Sequence, residues 1–217
     1  MRLIGMLDSP YVRRVAISLQ LLGLDFEHRP VSVFRAFDEF HAINPVVKAP
    51  SLVCDDGMVL MDSSLMLQYA ESLAQAQGRR SLMPVNLASR QADLRIIGLA
   101  LAACEKSVQL IYERGLRPPE KQHEPWAERV TGQLLAALAG LEAEVARRAL
   151  AVTVGELTLA GVTTAVSWHF IQAMLPQIVP AARFVTLAAF STAAEALPPF
   201  IAAAHGDGTC VPVLPAA

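Results

Sequence analysis

Four residues of this 217-residue chain combine a reactive type with a telling position: Ser9, Pro50, Asp62 and Ser63. Asp62 and Ser63 place a carboxylate and a hydroxyl at the start of a helix. The first backbone N–H groups there lack partners and attract anions. Ser9 stands directly before Pro10 at a second helix start, a good N-cap ahead of a proline suited to the first helical position. No Ser-His-Asp motif surrounds Ser9, so it need not be a nucleophile. Pro50 immediately precedes an apolar strand, where a proline is awkward unless it makes a special turn. A cis X–Pro bond costs only about 0.5–1 kcal/mol. It would leave the backbone N–H and C=O of Ala49 unpaired at a sheet edge, where an extended peptide can add itself as a strand. A trans proline and ordinary N-caps remain the plainer reading of the same residues.

The elements that must position these groups follow from pattern. The stretch from Asn44 to Ser72, NPVVKAPSLVCDDGMVLMDSSLMLQYAES, reads as loop, proline, strand, turn, strand and helix. Ser51 to Cys54 is a short strand-type run, Asp55-Asp56-Gly57 a turn, and Met58 to Met61 the returning strand. The helix that follows carries Leu65, Tyr69 and Leu73 on one face. Upstream, Leu3 to Leu7 suits a first strand. Val12, Val15, Leu19 and Leu22 then form one face of a helix that stops at Gly23. A second strand lies within Asp25 to Val33, interrupted by Pro30, and Phe34 to Ile43 suits a short helix. The order is βαβαββα, that of a thioredoxin-like domain, with the first two strands parallel around a crossover helix.

Gly78 to Ser89 reads as a linker, and everything beyond it is helical in pattern. The expected organisation is α/β plus all-α: a thioredoxin-like domain over 1–77, a linker over 78–88 and a helical bundle over 89–217. Leu94, Ile97, Leu101, Cys104, Val108 and Ile111 form a stripe on a long helix that ends near Gly115, with Pro118-Pro119 as the break. A second helix, from about Glu124 to Leu150, turns Trp126, Val130, Leu134, Leu138, Leu141 and Val145 inward. Thr158 opens a third, stapled by Leu157 and Val162. The run from Leu159 to Leu175 is apolar nearly all round, as a buried central helix must be. Val185 to Leu197 and Pro199 to Ala204 suit short helices, and Asp207 to Ala217 an irregular tail.

Composition narrows the function classes. Apolar residues make up 53% of the chain, ample for a core, and the net charge is −2 with no long basic run. Nucleic acid and an anionic membrane surface are therefore poor candidates for the main partner. Thr158 to Pro176, the nearest approach to a membrane span, is broken by Gly161, His169 and Gln172. The first residues lack the apolar segment of a signal peptide, so a cytoplasmic location is expected. Cys54, Cys104 and Cys210 are odd in number and far apart, without a CxxC pair. They read as buried free thiols, with no metal site indicated.

A proline before the third strand, a β-turn, then an acidic residue and a serine opening a helix resemble the glutathione-binding half of the cytosolic glutathione transferase family. The amino-terminal SPYVRRVAISLQLLG resembles the first helix of its serine-type members. The resemblance is strong to about Leu82 and weaker beyond. It implies an enzyme with glutathione as co-substrate, conjugating it to an electrophile or reducing a hydroperoxide. It assigns the catalytic thiolate donor to Ser9 and the main-chain pairing with the cysteinyl unit to Ala49 and Pro50. Asp62 and Ser63 are assigned to the γ-glutamyl end. Lys48 is either a carboxylate ligand or a solvated lysine. A second-substrate pocket would draw on Phe34, Ser107, Ile111 and Tyr112.

The resemblance also implies a homodimer whose Asp62–Gln75 and Leu87–Arg114 helices face the partner. The competing reading is a non-catalytic binding or regulatory protein on the same fold. Three positions depart from the family pattern. Val47 replaces a common glycine, so the loop is expected to take another path. Asp62 is one methylene shorter than the usual glutamate. Gly161 removes the acid of a capping box, a loss typically of about 1 kcal/mol. His41, Arg13 and Arg14, near these residues in sequence, are expected on the surface.

Overall fold

Ser9 caps and Pro10 begins helix α1 (Pro10–Leu21), which follows strand β1 (Arg2–Ile4). In the computed structural model, which describes residues 1–212, contacts divide the chain into two units. One comprises Met1–Leu82 together with the segment from Glu195 onward, and the other Met83–Ala194. The expected tail falls partly beyond this range: 207–212 is irregular, and 213–217 lies outside the described residues.

The first unit runs β1, α1, β2 (Glu27–Arg29), α2 (Phe37–Ile43), β3 (Ser51–Val53), β4 (Val59–Met61) and α3 (Ser63–Ala76). The sheet order is β2-β1-β3-β4. β1 pairs parallel with β2 and antiparallel with β3, and β3 pairs antiparallel with β4. This is the thioredoxin-like βαβαββα arrangement. Helix α2 starts three residues later than the pattern suggests, because Ser32 Oγ accepts the N–H groups of Phe34 and Arg35 and holds a turn there. Both long helices end on a left-handed glycine. Gly23 and Leu24 donate to Gln20 O and Leu19 O, and Gly78 and Arg79 donate to Gln75 O and Ala74 O. Each is a Schellman closure that satisfies the last carbonyls of its helix.

Val12, Val15, Ala16, Ile17 and Leu19 of α1 are fully buried, each larger side chain contributing about 1.5–3 kcal/mol. The opposite face is buried too. α1 packs on the sheet and on α3, and the segment after Glu195, with helix α8 (Pro198–Ala202), covers its remaining side. Arg13 and Arg14, expected on the surface, are therefore only 1% and 2% exposed. Arg13 makes a bidentate pair with Glu195 at 2.7 and 2.5 Å, and its Nε donates to Ala203 O at 2.7 Å. Gln20 donates to Pro199 O, and the N–H of Cys210 donates to His28 Nδ1 at 2.9 Å. That contact fixes the tautomer: His28 Nε2 carries the proton and donates to Gly5 O at 2.8 Å. Burial lowers the His28 pKa, which keeps the ring neutral as this geometry requires.

The second unit is helical. α4 (Leu87–Gly115) packs on α5 (Glu124–Arg147) and on α6 (Leu159–Met174), followed by α7 (Val185–Glu195), whose last residue belongs to the first unit. The buried face of α4 is Asp93, Ile96, Ile97, Ala100, Ala103, Cys104, Ser107, Leu110 and Glu113. It is rotated from the expected stripe, of which Ile97 and Cys104 alone are buried and Leu94 is exposed. Small residues let α5 and α6 approach, so the seam follows alanine, serine and cysteine instead of the largest side chains. On α5, Ala127 points inward in place of the exposed Trp126 for the same reason. α6 is buried nearly all round, as its composition requires. No helix among the described residues is long and apolar enough to cross a membrane.

Thr158 caps α6, its Oγ1 accepting the Gly161 N–H at 3.4 Å, with Leu157 and Val162 both buried beside it. Gly161 is more than a missing acid. A Cβ there would lie 2.7 Å from Leu157 Cδ1 and 3.4 Å from Phe190 Cζ. Gly161→Ala would gain about 0.5–1 kcal/mol of helix propensity against about 1–3 kcal/mol of overpacking. The expected outcome is a net loss of about 1 kcal/mol, read from urea unfolding. A stabilised variant would show that the staple yields freely.

Candidate functional site

Three short segments of the first unit converge on the first half of α1. Ser9 is half-buried with an extended backbone, and its Oγ accepts the Val12 N–H at 3.4 Å. Used as an acceptor, the hydroxyl keeps its own proton for donation. Asp8, just before it, has its carboxyl pushed up by desolvation, opposed by the nearby His205.

The second segment is the loop before β3. The Ala49–Pro50 bond is cis, as expected from sequence. Among the described residues, neither the N–H nor the C=O of Ala49 has a hydrogen-bond partner. The loop is fixed from inside. Buried Asn44 donates to Ser51 Oγ at 2.8 Å and accepts the Val46 N–H at 3.0 Å, while Ser51 donates to Lys48 O at 2.9 Å. Lys48 itself is exposed. The expectation that Val47 diverts the loop concerned its backbone, and the structure shows how valine is accommodated. Val47 takes φ +51°, a left-handed conformation that suits glycine. That is unfavourable for a β-branched residue. Its side chain packs against the cluster of Ile4, Val31, Phe40 and Val53, which offsets the strain.

The third segment is the start of α3. Asp62 is its N-cap, and Oδ1 accepts the N–H groups of Ser64 at 2.9 Å and Leu65 at 3.4 Å. The Ser63 N–H is left open among the described residues. Ser63 is 5% exposed, and its Oγ accepts from Arg14 Nη1 at 3.0 Å. Its hydroxyl proton therefore points away from the guanidinium.

Gly5 joins the first two segments. At φ +136°, a Cβ there would lie 2.6 Å from Val12 Cγ2 and 3.3 Å from Ala49 Cβ. Arg14 joins the third. The result is a hydroxyl donor at Ser9, an open peptide edge at Ala49, and an N–H with an oriented O–H at Ser63. Such a set suits an extended peptide with an anionic group near Ser9 and a carboxylate at the start of α3.

Gly5, Arg14, Asn44 and Ser51 do not stand out from sequence. Arginine on a helix reads as a solvent residue, and nothing in the spacing signals that a later segment will cover it. A cavity of about 430 Å³ elsewhere in this unit is lined by Met1, Leu24, Cys54, Asp55 and Tyr69 among others, and contains none of the site residues. Burial raises the Cys54 thiol pKa, and the Cys210 thiol is pushed up to about 11, so neither is a thiolate at neutral pH.

The second-pocket candidates are less uniform. Phe34 is exposed on the first unit and Tyr112 on the second. Ile111 is half-buried, and Ser107 is fully buried with its hydroxyl donating to Ala103 O at 2.8 Å. His41 is exposed and stacks on Phe37.

Residues 3–78 match the family model described as the glutathione S-transferase N-terminal domain. A glutathione S-transferase from Methylobacterium radiotolerans, solved in complex with glutathione sulfonate, is 27% identical. It superposes with a TM-score of 0.83 over 92% of each chain. A glutathione transferase family member from Pseudomonas fluorescens, with bound S-(propanoic acid)-glutathione, is 28% identical. Its TM-score is 0.75 over 94% of this chain and 98% of that one. The maleylacetoacetate isomerase of Pseudomonas aeruginosa is 28% identical over 130 residues, 58% of this chain and 61% of that protein. The match thus spans about three fifths of the length of this curated relative.

Asp62 adopts φ +70° and ψ 117°, outside the regions comfortable for a residue with a Cβ. Strain of this kind costs about 1–3 kcal/mol and tends to mark functional sites. Glycine would relieve it and is a tolerable N-cap, whereas alanine would keep it and lose the cap. Asp62→Gly is therefore expected to be more stable than Asp62→Ala by about 1–2 kcal/mol in urea unfolding. Equal midpoints would mean that the backbone is not strained at Asp62.

Proposed function

The chain belongs to the glutathione transferase family, and from that premise we propose that it binds glutathione, holds it as the thiolate and directs the sulfur at an electrophile. The observation that carries this reading is the Ser9 hydroxyl. It stands at a helix start, accepts from Val12 and keeps its proton for a sulfur laid along the Ala49 edge.

The energetics are sufficient. Lowering a thiol pKa from about 8.5 by two units requires about 2.7 kcal/mol of preference for the anion. One hydrogen bond to a charged group supplies about 1.5–3 kcal/mol, and the helix terminus about 0.3–1 kcal/mol more. In conjugation the sulfur pair attacks an electrophilic carbon and the leaving group departs with its bonding pair. Ser9 keeps its proton throughout and stabilises the anion without becoming a nucleophile. With a hydroperoxide the thiolate would attack the outer oxygen, releasing an alcohol and leaving a sulfenic acid. A second glutathione would convert that to the disulfide with loss of water.

Ala49 would pair with the cysteinyl backbone beside Pro50. Ser63 would hold the γ-glutamyl carboxylate, and the outer oxygen of Asp62 the ammonium group. Lys48, exposed near the loop, is proposed as a ligand of the glycyl carboxylate. Phe34, Ile111 and Tyr112 are the proposed contacts for the electrophile. Ser107, one turn before Ile111 on the same helix, is the fourth proposed residue, although it is fully buried with its hydroxyl engaged by Ala103.

A two-fold homodimer is part of the proposal. On α3, Leu65 is 61% exposed and Tyr69 shares its outward face. On α4, Leu87 and Leu94 are exposed. Unpartnered apolar side chains of this size favour burial against a second copy. Light scattering at micromolar concentration should give twice the monomer mass, and a monomer would overturn this part.

Ser9→Ala is the central test. Glutathione affinity should stay nearly unchanged, because the Ala49 edge, Asp62 and Ser63 are untouched. The bound thiol pKa should rise by roughly one to two units. The rate with a model aryl halide at neutral pH and saturating glutathione should fall roughly ten- to a hundredfold, and raising the pH should restore part of it. Thiolate absorbance against pH measures the first quantity directly. An unchanged pKa would reduce Ser9 to a helix cap and move the donor role to Tyr11. Glutathione binding without any turnover in the wild type would favour the non-catalytic alternative.

A further inference from the structure

We infer that Arg14 is a positioning residue for the anion-binding end of this site, fixing Ser63 as the donor to a ligand's terminal α-carboxylate. The inference rests on the glutathione reading and deepens it, giving a role to a side chain buried beneath the ligand surface.

A carboxylate held at a helix start needs more than one donor. Helix α3 has already used two of its first three N–H groups, because Asp62 Oδ1 accepts from Ser64 and Leu65. The Ser63 N–H remains, and the Ser63 hydroxyl is the nearest second donor. A free serine hydroxyl rotates and has no preferred donor direction. Here Arg14 Nη1 occupies its acceptor side at 3.0 Å and also reaches Ser64 Oγ at 3.2 Å.

A guanidinium has donors only. The Ser63 proton must therefore turn away from it, which leaves it available to a ligand that also takes the Ser63 N–H. The guanidinium also brings a positive charge behind that hydroxyl, at a position 2% exposed. A charge screened from water acts more strongly on a nearby anion than a surface charge does. The two effects favour the same ligand feature: a carboxylate presented at the first turn of α3.

The test compares two ligands on four proteins by calorimetric titration. The ligands are glutathione and its analogue with hydrogen in place of the γ-glutamyl α-carboxylate. The proteins are wild type, Arg14→Met, Ser63→Ala and the double variant. Wild type should prefer glutathione. Arg14→Met should bind glutathione roughly ten-fold more weakly, with affinity for the analogue unchanged. In the Ser63→Ala background the same change should cost little more, because the hydroxyl that Arg14 orients is gone.

Arg14→Lys keeps the charge but loses the planar fork, so its glutathione affinity should fall between wild type and Arg14→Met. It also carries the test if Arg14→Met does not fold by circular dichroism. Equal losses for both ligands would overturn the inference and leave Arg14 a purely structural residue, as would unchanged glutathione affinity. A wild type that does not bind glutathione at all would instead remove the reading beneath it. The two failures are therefore told apart by the first titration.

Discussion

Two adjacent guanidiniums in a helix without a solvent face are the constraint on which the first unit depends. Arg13 and Arg14 follow one another on α1, so they leave the helix in directions about 100° apart. One reaches the Glu195–Ala203 segment and the other the start of α3. A buried charge is tolerated only with dense hydrogen bonding. Arg13 therefore demands a carboxylate and carbonyls from nearly two hundred residues away. That demand makes the segment after Glu195 part of the sheet-containing unit. Buried pairs of this kind confer specificity of arrangement more securely than net stability.

The same helix gathers the site. Its first turn lies against the Ala49 loop through Gly5, where even a methyl group would collide with Val12. The loop is held from within by Asn44 and Ser51, while its Ala49 edge has no partner among the described residues. Strain is concentrated around that edge, at Val47 and Asp62, both with positive φ. Each is compensated locally, Val47 by packing on the Phe40 cluster and Asp62 by capping its own helix. A site whose polar groups face outward lacks internal partners by construction, and the surrounding packing has to hold it open.

The helical unit follows a different economy. Its seams are chosen by closeness of approach, so alanine, serine and cysteine line the α4 seam while Leu94 and Trp126 remain at the surface. Gly161 expresses the same rule at the head of α6, where Leu157 and Phe190 occupy the volume a side chain would need. On α4 the expected stripe is turned partly outward, so Leu94 stays exposed while Ile96, Ile97 and Leu110 are buried beside the small residues.

The sequence by itself determined the local events. Ser9 before Pro10, the Asp55-Asp56-Gly57 turn, the stops at Gly23 and Gly78 and the Asp62 cap depend on residues only a few positions apart. Short-range sterics and capping therefore suffice to make them legible, and with them the βαβαββα order. The positions of Ser9, Pro50 and Ser63 on those elements were legible for the same reason. The burial of Arg13 and Arg14 was not, because periodicity assigns a helix one buried face and cannot foresee a covering segment from the far end of the chain. The true seam of α4, the space at Gly161 and the support that Asn44, Ser51 and Arg14 give the site are likewise relations between distant residues. Close packing decides them, since which side chain fits depends on the volume its neighbours leave, and only the tertiary structure sets that volume.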